Sequence, residues 1–266
     1  MKKFENKVVW ITGASSGIGE ATAYRFAQEG ARLIVTALET DLLETVVQRC
    51  KELGSPDAKS LPFDLSDTAG LNELADKAWN AFGYIDILYN NAGISQRGTT
   101  IETDMSVIRK VMDIDYYAPV VITKNILPRM VGRGGGQLVV TTSIAGRFGF
   151  PLRCAYSSAK HALYGFFETV QAETYDQNIR VTIVCPGRVK TNISKYALEK
   201  DGRQHGKMDA GQAGGVTPQQ AANKIVKAVY KKKREVMVGR YELIMAYIKQ
   251  YCPSLASRLA RRVKPM

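Results

Sequence analysis

The sequence has few cysteines and histidines. Its four cysteines, Cys50, Cys154, Cys185 and Cys252, form no Cys-x-x-Cys pair, and neither His161 nor His205 joins them at a metal-ligand spacing. That excludes a disulfide scaffold and leaves no metal site to expect. The chemistry fits a reducing compartment, and the cytoplasm is the expected location. Long apolar runs are also missing. Nothing approaches the roughly 18 uninterrupted apolar residues of a membrane span, and Val8 to Ile11, the first apolar run, is too short for a signal-peptide core. Acidic residues are scarce in one place only. The chain carries 37 Lys/Arg against 25 Asp/Glu, but from Lys224 to Met266 the count is 12 against 2, so residues 1–223 hold 25 against 23. A body-wide nucleic-acid surface is therefore not expected. The basic character is local, in "KKKR" at 231–234 and "SRLARRVK" at 257–264. No internal repeat or low-complexity linker is present.

What the chain does have is a large apolar fraction, 45% of 266 residues, enough for one sizeable core. Short β-branched runs alternate with stretches of helical periodicity: "KVVWIT", "RLIVTA", "AKSLPF", "IDILYN", "QLVVTT" and "RVTIVCP" read as buried strands. Such β/α alternation predicts an α/β fold, a single doubly wound Rossmann-type domain whose parallel sheet carries helices on both faces. The domain spans 1–239, with a turn-rich substrate loop at about 192–217, an insertion or lid. Residues 240–266 form a basic amphipathic C-terminal tail.

The first strand runs into "TGASSGIGE", where Gly13, Gly17 and Gly19 sit at the handover to a helix. In a doubly wound sheet this is where a helix N-terminus offers free N–H groups and a positive dipole end to a phosphate. The spacing is G-x-x-x-G-x-G and not the generic G-x-G-x-x-G, so the alternatives are a nucleotide site and a tight strand-to-helix turn. Further on, Tyr156 and Lys160 are four apart on a predicted helix and share a face, where an ammonium favours the phenolate. With 13 tyrosines and 20 lysines, chance supplies roughly one such Tyr-x-x-x-Lys, and Tyr196 with Lys200 is a second.

Taken together, "TGASSGIG" at 12–19, "NNAG" at 90–93, Ser143, "YSSAK" at 156–160 and "CPGRVKT" at 185–191 resemble the short-chain dehydrogenase/reductase family in order and spacing, from about Lys7 to Thr191. The resemblance selects Tyr156, which follows Ser143 by 13 residues, over Tyr196 in the irregular segment. It implies that Gly13, Ser15, Gly17, Ile18 and Gly19 border a dinucleotide pyrophosphate and that Asp64 holds the adenine edge. Read alone, Asp64 is a helix-entry cap. The resemblance further implies that Asn91 steadies the sheet while Ala92 and Gly93 lie along the cofactor. Pro186, Gly187, Val189 and Thr191 are implied as further cofactor contacts. Ser143, otherwise a strand-end cap, would bond the substrate oxygen; Tyr156 would exchange the proton; Lys160 would bind the nicotinamide ribose and keep Tyr156 acidic. Both Tyr156 and Lys160 thus count as cofactor contacts too.

The family pattern is broken once: Asp115 stands where the family usually has Asn. Pro119, lacking an N–H, cannot bond the carbonyl four residues earlier, which predicts a kink at 115. In the family a kink here feeds a proton relay through the lysine, so Asp115 is a candidate catalytic residue. Equally, a direct Asp115–Lys160 ion pair would weaken the lysine's pull on Tyr156.

After the second strand, neither the NADP-type Arg nor the NAD-type Asp of the family is present; Ala37 and Leu38 occupy those places. Glu39 could accept a bond from a ribose hydroxyl and would repel a 2′-phosphate, so NAD or NADP is expected, with a lean to NAD. Phe148, Phe150, Pro151, Leu152 and Val189 make the substrate pocket mainly apolar, suited to an apolar alcohol or carbonyl compound. A homodimer or homotetramer through the long helices is implied by the family. In the tail, Ile244, Ile248 and Tyr251 share one face with Leu243 and Tyr247 beside them, which reads as a cap on the domain, an oligomer contact or a weak peripheral contact with an anionic membrane. The expected function is an NAD(P)-dependent interconversion of an alcohol with a ketone or aldehyde; the rivals are a non-catalytic nucleotide-binding regulator and a membrane-associated interaction protein.

Overall fold

The β-branched runs form seven parallel strands: β1 (Val8–Thr12), β2 (Arg32–Thr36), β3 (Ala58–Ser60), β4 (Ile87–Asn90), β5 (Gly136–Thr141), β6 (Ile179–Pro186) and β7 (Glu235–Val238). The computed structural model describes residues 2–263. The strands lie in the order β3-β2-β1-β4-β5-β6-β7. Each predicted strand is present, and the order reverses direction between β1 and β4, the switch point at which doubly wound sheets bind ligands.

Among the described residues, ten α-helices connect and flank them: α1 (Gly17–Gln28), α2 (Thr40–Glu52), α3 (Leu71–Phe82), α4 (Met105–Met112), α5 (Ala118–Gly132), α6 (Cys154–Thr174), α7 (Ala210–Ala213), α8 (Pro218–Tyr230), α9 (Ile244–Tyr251) and α10 (Pro253–Ala260). Alternation along β1 divides the core. Val9 and Ile11 pack with Phe26, Leu43 and Ile225 from α1, α2 and α8. Val8 and Trp10 face the other way, onto Leu74, Ile122 and Phe167 from α3, α5 and α6. The period of two is what puts helices on both faces. Trp10, fully buried, satisfies its one donor by bonding Thr36 Oγ1 at 3.0 Å.

Two departures from regular geometry shape the site. Between α4 and α5 the helix passes through a π-helical turn, Asp113–Tyr117, in which the Ala118 N–H reaches back to the Asp113 carbonyl. Pro119 removes the donor that an α-helical 115-to-119 bond needs, so the extra residue is accommodated here. Segment 192–217 is mostly irregular, holding a 3₁₀ turn at Asn192–Ser194 and the four-residue α7. After β7 the tail folds back over the C-terminal ends of the strands. Leu243, Met245, Ala246 and Ala260 pack on Ile144, Phe148 and Phe150. Of the expected stripe, Leu243 packs here and Ile248 is half-buried, whereas Ile244 and Tyr251 are 60% and 74% exposed. The last residues of the tail, 264–266, lie outside the described residues.

Candidate active site

A cavity of about 610 Å³ opens beyond the C-terminal ends of β1, β4, β5 and β6. Its floor is the glycine turn between β1 and α1. Gly13 and Gly17 adopt φ of +64° and +62°, and a Cβ on Gly13 would lie 2.6 Å from Ala92 Cα. A Cβ on Gly19 would lie 2.1 Å from the Gly13 carbonyl oxygen. Both contacts are with backbone, so neither residue tolerates a side chain without displacing the turn. Ser16 sits at the α1 N-cap without a side-chain bond into the helix, leaving the first turn of α1 uncapped beside the cavity. Ser15, Ile18 and Glu39 also line it, and Ser15 Oγ donates to Glu39 Oε2 at 2.9 Å.

The "NNAG" segment is fixed by an exchange of bonds across three strand ends. Asn91 Nδ2 donates to the carbonyls of Thr12 and Gly13, each at 3.1 Å, and Asn91 Oδ1 accepts from Thr141 Oγ1 at 3.1 Å. Thr12 Oγ1 returns the bond by accepting from the N–H groups of Asn91 and Ala92. The role of Thr12 was not legible in the sequence, since a strand-end threonine carries no signal of its own. Asp64 lies on the cavity wall, but its Oδ1 already accepts from Ser66 N at 2.9 Å and Ser66 Oγ at 2.8 Å. Asp64 closes a turn with Ser66 and borders the cavity, but it is not the helix-entry cap of the sequence reading, because the N-cap of α3 is Gly70. At the end of β6, Pro186, Gly187, Val189 and Thr191 line the opposite side.

Ser143, Tyr156 and Lys160 converge on the same cavity. Ser143 caps a 3₁₀ turn at the end of β5, its Oγ accepting from Ala145 N at 3.1 Å. That bond uses a lone pair and leaves the hydroxyl proton to donate. Tyr156 and Lys160 lie on one face of α6. Lys160 is buried; its Nζ stands 5.7 Å from the Tyr156 ring centre and donates to the Thr141 carbonyl at 3.1 Å. The competing pair, Tyr196 and Lys200, lies outside any helix, with Lys200 bonded to Glu102 on the surface at 2.8 Å.

Asp115, in the π-turn, makes the ion pair that its sequence position raised. Its Oδ2 is 3.2 Å from Lys160 Nζ, with side-chain exposures of 0% and 3%, and its Oδ1 accepts from Ile94 N at 2.8 Å. Burial pushes the Asp115 carboxyl upward from its ordinary range, opposed by Lys160 and the Ile94 N–H. Gly93 faces the pair: a Cβ there would come within 3.0 Å of Asp115 Oδ2 and 3.1 Å of Lys160 Nζ.

The rest of the wall is less apolar than expected. Phe148, Phe150 and Val189 line it, whereas Pro151 and Leu152 do not, and Arg97, Arg153 and Asp209 do. Tail residues Tyr241, Glu242, Ile244 and Met245 complete the rim. Glu242 Oε1 accepts from the N–H groups of Arg188 and Arg240, which ties the tail to the loop after β6.

The chain is similar to known proteins in sequence and in fold. The dehydrogenase/reductase SDR family member 7B of Xenopus tropicalis is 38% identical over 267 residues, covering 98% of this chain and 86% of that protein. A short chain dehydrogenase/reductase from Burkholderia phymatum, solved in complex with NAD, shares the fold with a TM-score of 0.84 at 22% identity, covering 100% of this chain and 99% of that one. An alcohol dehydrogenase from the archaeon Thermococcus sibiricus, complexed with 5-hydroxy-NADP, aligns with a TM-score of 0.76 at 27% identity over 89% of this chain and 97% of its own. The family model described as short chain dehydrogenase matches residues 7–202, and with these relatives it shows that the chain belongs to the short-chain dehydrogenase/reductase family.

Proposed function

We propose that the protein is an NAD(P)-dependent oxidoreductase that interconverts an apolar alcohol with its ketone or aldehyde, with Tyr156 as general acid/base. The observation that carries this reading is the buried Lys160 ammonium held beside the Tyr156 ring on the cavity wall. The glycine turn fits a dinucleotide: its close backbone approach and the uncapped first turn of α1 suit a pyrophosphate, with Gly13, Ser15, Gly17, Ile18 and Gly19 as its cradle. Ala92, Gly93, Pro186, Gly187, Val189 and Thr191 would hold the remainder, with Asp64 at the adenine end. When bound, the nicotinamide supplies or accepts the hydride.

The chain's own residues handle the proton and the substrate oxygen. Ser143 Oγ, oriented by the Ala145 N–H, donates a bond to that oxygen. The Tyr156 hydroxyl gives up its proton as a carbonyl is reduced and takes one as an alcohol is oxidised. Lys160, positioned by Thr141 and Asp115, stabilises the phenolate and would hold the ribose hydroxyls of a bound dinucleotide. Asp115 fixes the lysine and, through its bond to Ile94 N, the chain after Gly93. Glu39 at the rim leans the preference to NAD, because a carboxylate accepts from ribose hydroxyls and repels a 2′-phosphate.

The substrate's apolar part would lie against Phe148, Phe150, Val189 and the tail, and segment 192–217 would act as the substrate loop. We further propose a homodimer or homotetramer through α4, α5 and α6, a cytoplasmic setting matching the four free cysteines, and weak contact of the tail with anionic membranes. No helix among the described residues is long and apolar enough to cross a membrane. The test of the function is a screen of apolar ketones with NADH and NADPH, run on the wild type and on Tyr156→Phe. Turnover by the wild type and a loss of several hundredfold in the variant are expected; equal rates would remove Tyr156 from the mechanism.

A further inference from the structure

The C-terminal tail is at once a wall of the cavity and a piece of outer surface. Tyr241, Glu242, Ile244 and Met245 line the cavity where the tail begins, and Val263 lines it again where the tail returns, so α9 and α10 arch between two points of the rim. The inward side of the arch is apolar, with Leu243, Met245, Ala246 and Ala260 on Ile144, Phe148 and Phe150. Its outward side is apolar as well. Ile244, Tyr247 and Tyr251 share one face of α9 and are exposed, as are Tyr241 before it and Leu255 on α10. Among the described residues thirteen large hydrophobic side chains are exposed, and five of them fall within 241–255. Such side chains scattered singly are ordinary, whereas a cluster beside a cavity marks a contact surface.

The charges around this patch have one sign. Arg240, Lys249, Arg258, Arg261 and Arg262 are exposed, while Glu242, the one acid in 240–263, turns its carboxylate to the N–H groups of Arg188 and Arg240. The basic run 231–234 is not part of the patch, because it precedes β7 and so lies at the end of the parallel sheet away from the cavity. Tyrosines with a basic border fit an anionic bilayer: the rings enter the acyl boundary, the hydroxyls stay at headgroup depth, and the cations meet the negative surface potential. A twofold contact between copies would instead set the basic border against itself. Tyr241 and Ile244 belong to both surfaces, since they line the cavity and are 75% and 60% exposed. They continue the apolar surface of Phe148 and Phe150 out to the exposed side of α9.

We propose that the tail seats the protein on an anionic membrane and that the substrate is a bilayer-resident lipid alcohol or ketone, which enters through the part of the rim formed by Tyr241 and Ile244. This rests on the oxidoreductase reading above and deepens it. The cavity of about 610 Å³ has to take the dinucleotide together with the reacting end of the substrate. A long apolar chain therefore extends along the tail toward the acyl boundary and avoids water on the way.

The experiment follows reduction of alkan-2-ones by NADH and NADPH, from hexan-2-one in solution to octadecan-2-one held in vesicles of phosphatidylcholine, alone or mixed equally with phosphatidylglycerol. On the mixed vesicles octadecan-2-one should react at least about tenfold faster than on phosphatidylcholine, and about 0.5 M salt should remove most of that gain, with hexan-2-one indifferent to both. Tyr247→Asp with Tyr251→Asp alters side chains outside the cavity; it should cut the vesicle rate about tenfold and leave hexan-2-one within about twofold. Arg258→Glu with Arg262→Glu should erase the preference for anionic vesicles, whereas Lys231→Glu with Lys233→Glu should keep it; the reverse pattern would take the contact off the tail and overturn the proposal. The wild-type comparison stands alone if a variant fails to fold. A changed oligomeric state of the vesicle-free tyrosine variant would assign the patch to a second copy and overturn the proposal. Turnover of hexan-2-one, with octadecan-2-one inert or equally fast on both vesicles, overturns the membrane route and leaves the oxidoreductase reading intact. No turnover at any chain length with either nucleotide overturns both.

Discussion

Replacing Asp115 by Asn separates the two duties of that residue. Asparagine keeps an oxygen to accept from Ile94 N, now at 2.8 Å, but removes the charge 3.2 Å from Lys160 Nζ. At an effective dielectric of about 20, unit charges at that separation attract by about 5 kcal/mol. The Lys160 charge, 5.7 Å from the Tyr156 ring centre, acts on a phenolate with about 3 kcal/mol on the same scale. With the carboxylate present, Tyr156 faces a pair and not a lone ammonium, so a large share of that pull is cancelled. Recovering about half of it is worth roughly 1.4 kcal/mol, a factor of ten. In alcohol oxidation, which needs the phenolate, losing the carboxylate should favour the reactive form of Tyr156. Activity near pH 7 should therefore rise by up to about tenfold or stay level. The assay is steady-state reduction of NAD or NADP across pH 5–10 for wild type and variant. A loss beyond tenfold, with the protein folded, would refute the reasoning and show that the carboxylate itself carries the proton.

Other expectations follow from the same geometry. Gly19→Ala places a Cβ against the Gly13 carbonyl oxygen, now 2.1 Å from that position, and should abolish nucleotide binding in a fluorescence titration while circular dichroism stays native-like. Glu39→Ala removes the rim carboxylate and should raise NADPH affinity several-fold relative to NADH; an unchanged ratio would discard Glu39 as the discriminator. On the tail, Ile244→Asp with Tyr251→Asp alters side chains that are 60% and 74% exposed, and should reduce flotation with anionic liposomes; equal flotation ends the membrane proposal.

Most of the sheet was readable from one dimension because its strands are buried on both faces and so appear as near-continuous β-branched runs. The kink at 115 was readable too, since a proline without an N–H leaves few ways to continue a helix. The side chains of the proposed catalytic site could be named from local motifs, but the bonds that restrain them could not. The Thr141 carbonyl that holds Lys160 has no side-chain signature, and Thr12 works only because β1 and β4 are neighbours. Arg97 and Asp209 are 112 residues apart, so no spacing announces their pairing. In the tail, periodicity located an apolar stripe on α9 but could not say which side would meet the protein. The mouth of the cavity, where Phe148 and Phe150 meet any segment that returns, took Met245 and Ala246 together with Leu243.

The central claim is that the glycine turn and the Tyr156–Lys160 face serve a nicotinamide dinucleotide. Its most direct test is titration of the purified protein with NADH and with NADPH, followed by nicotinamide fluorescence. Saturable binding, tighter for NADH and lost in Gly19→Ala, is the predicted result; absence of binding by either nucleotide to the wild type would contradict the account.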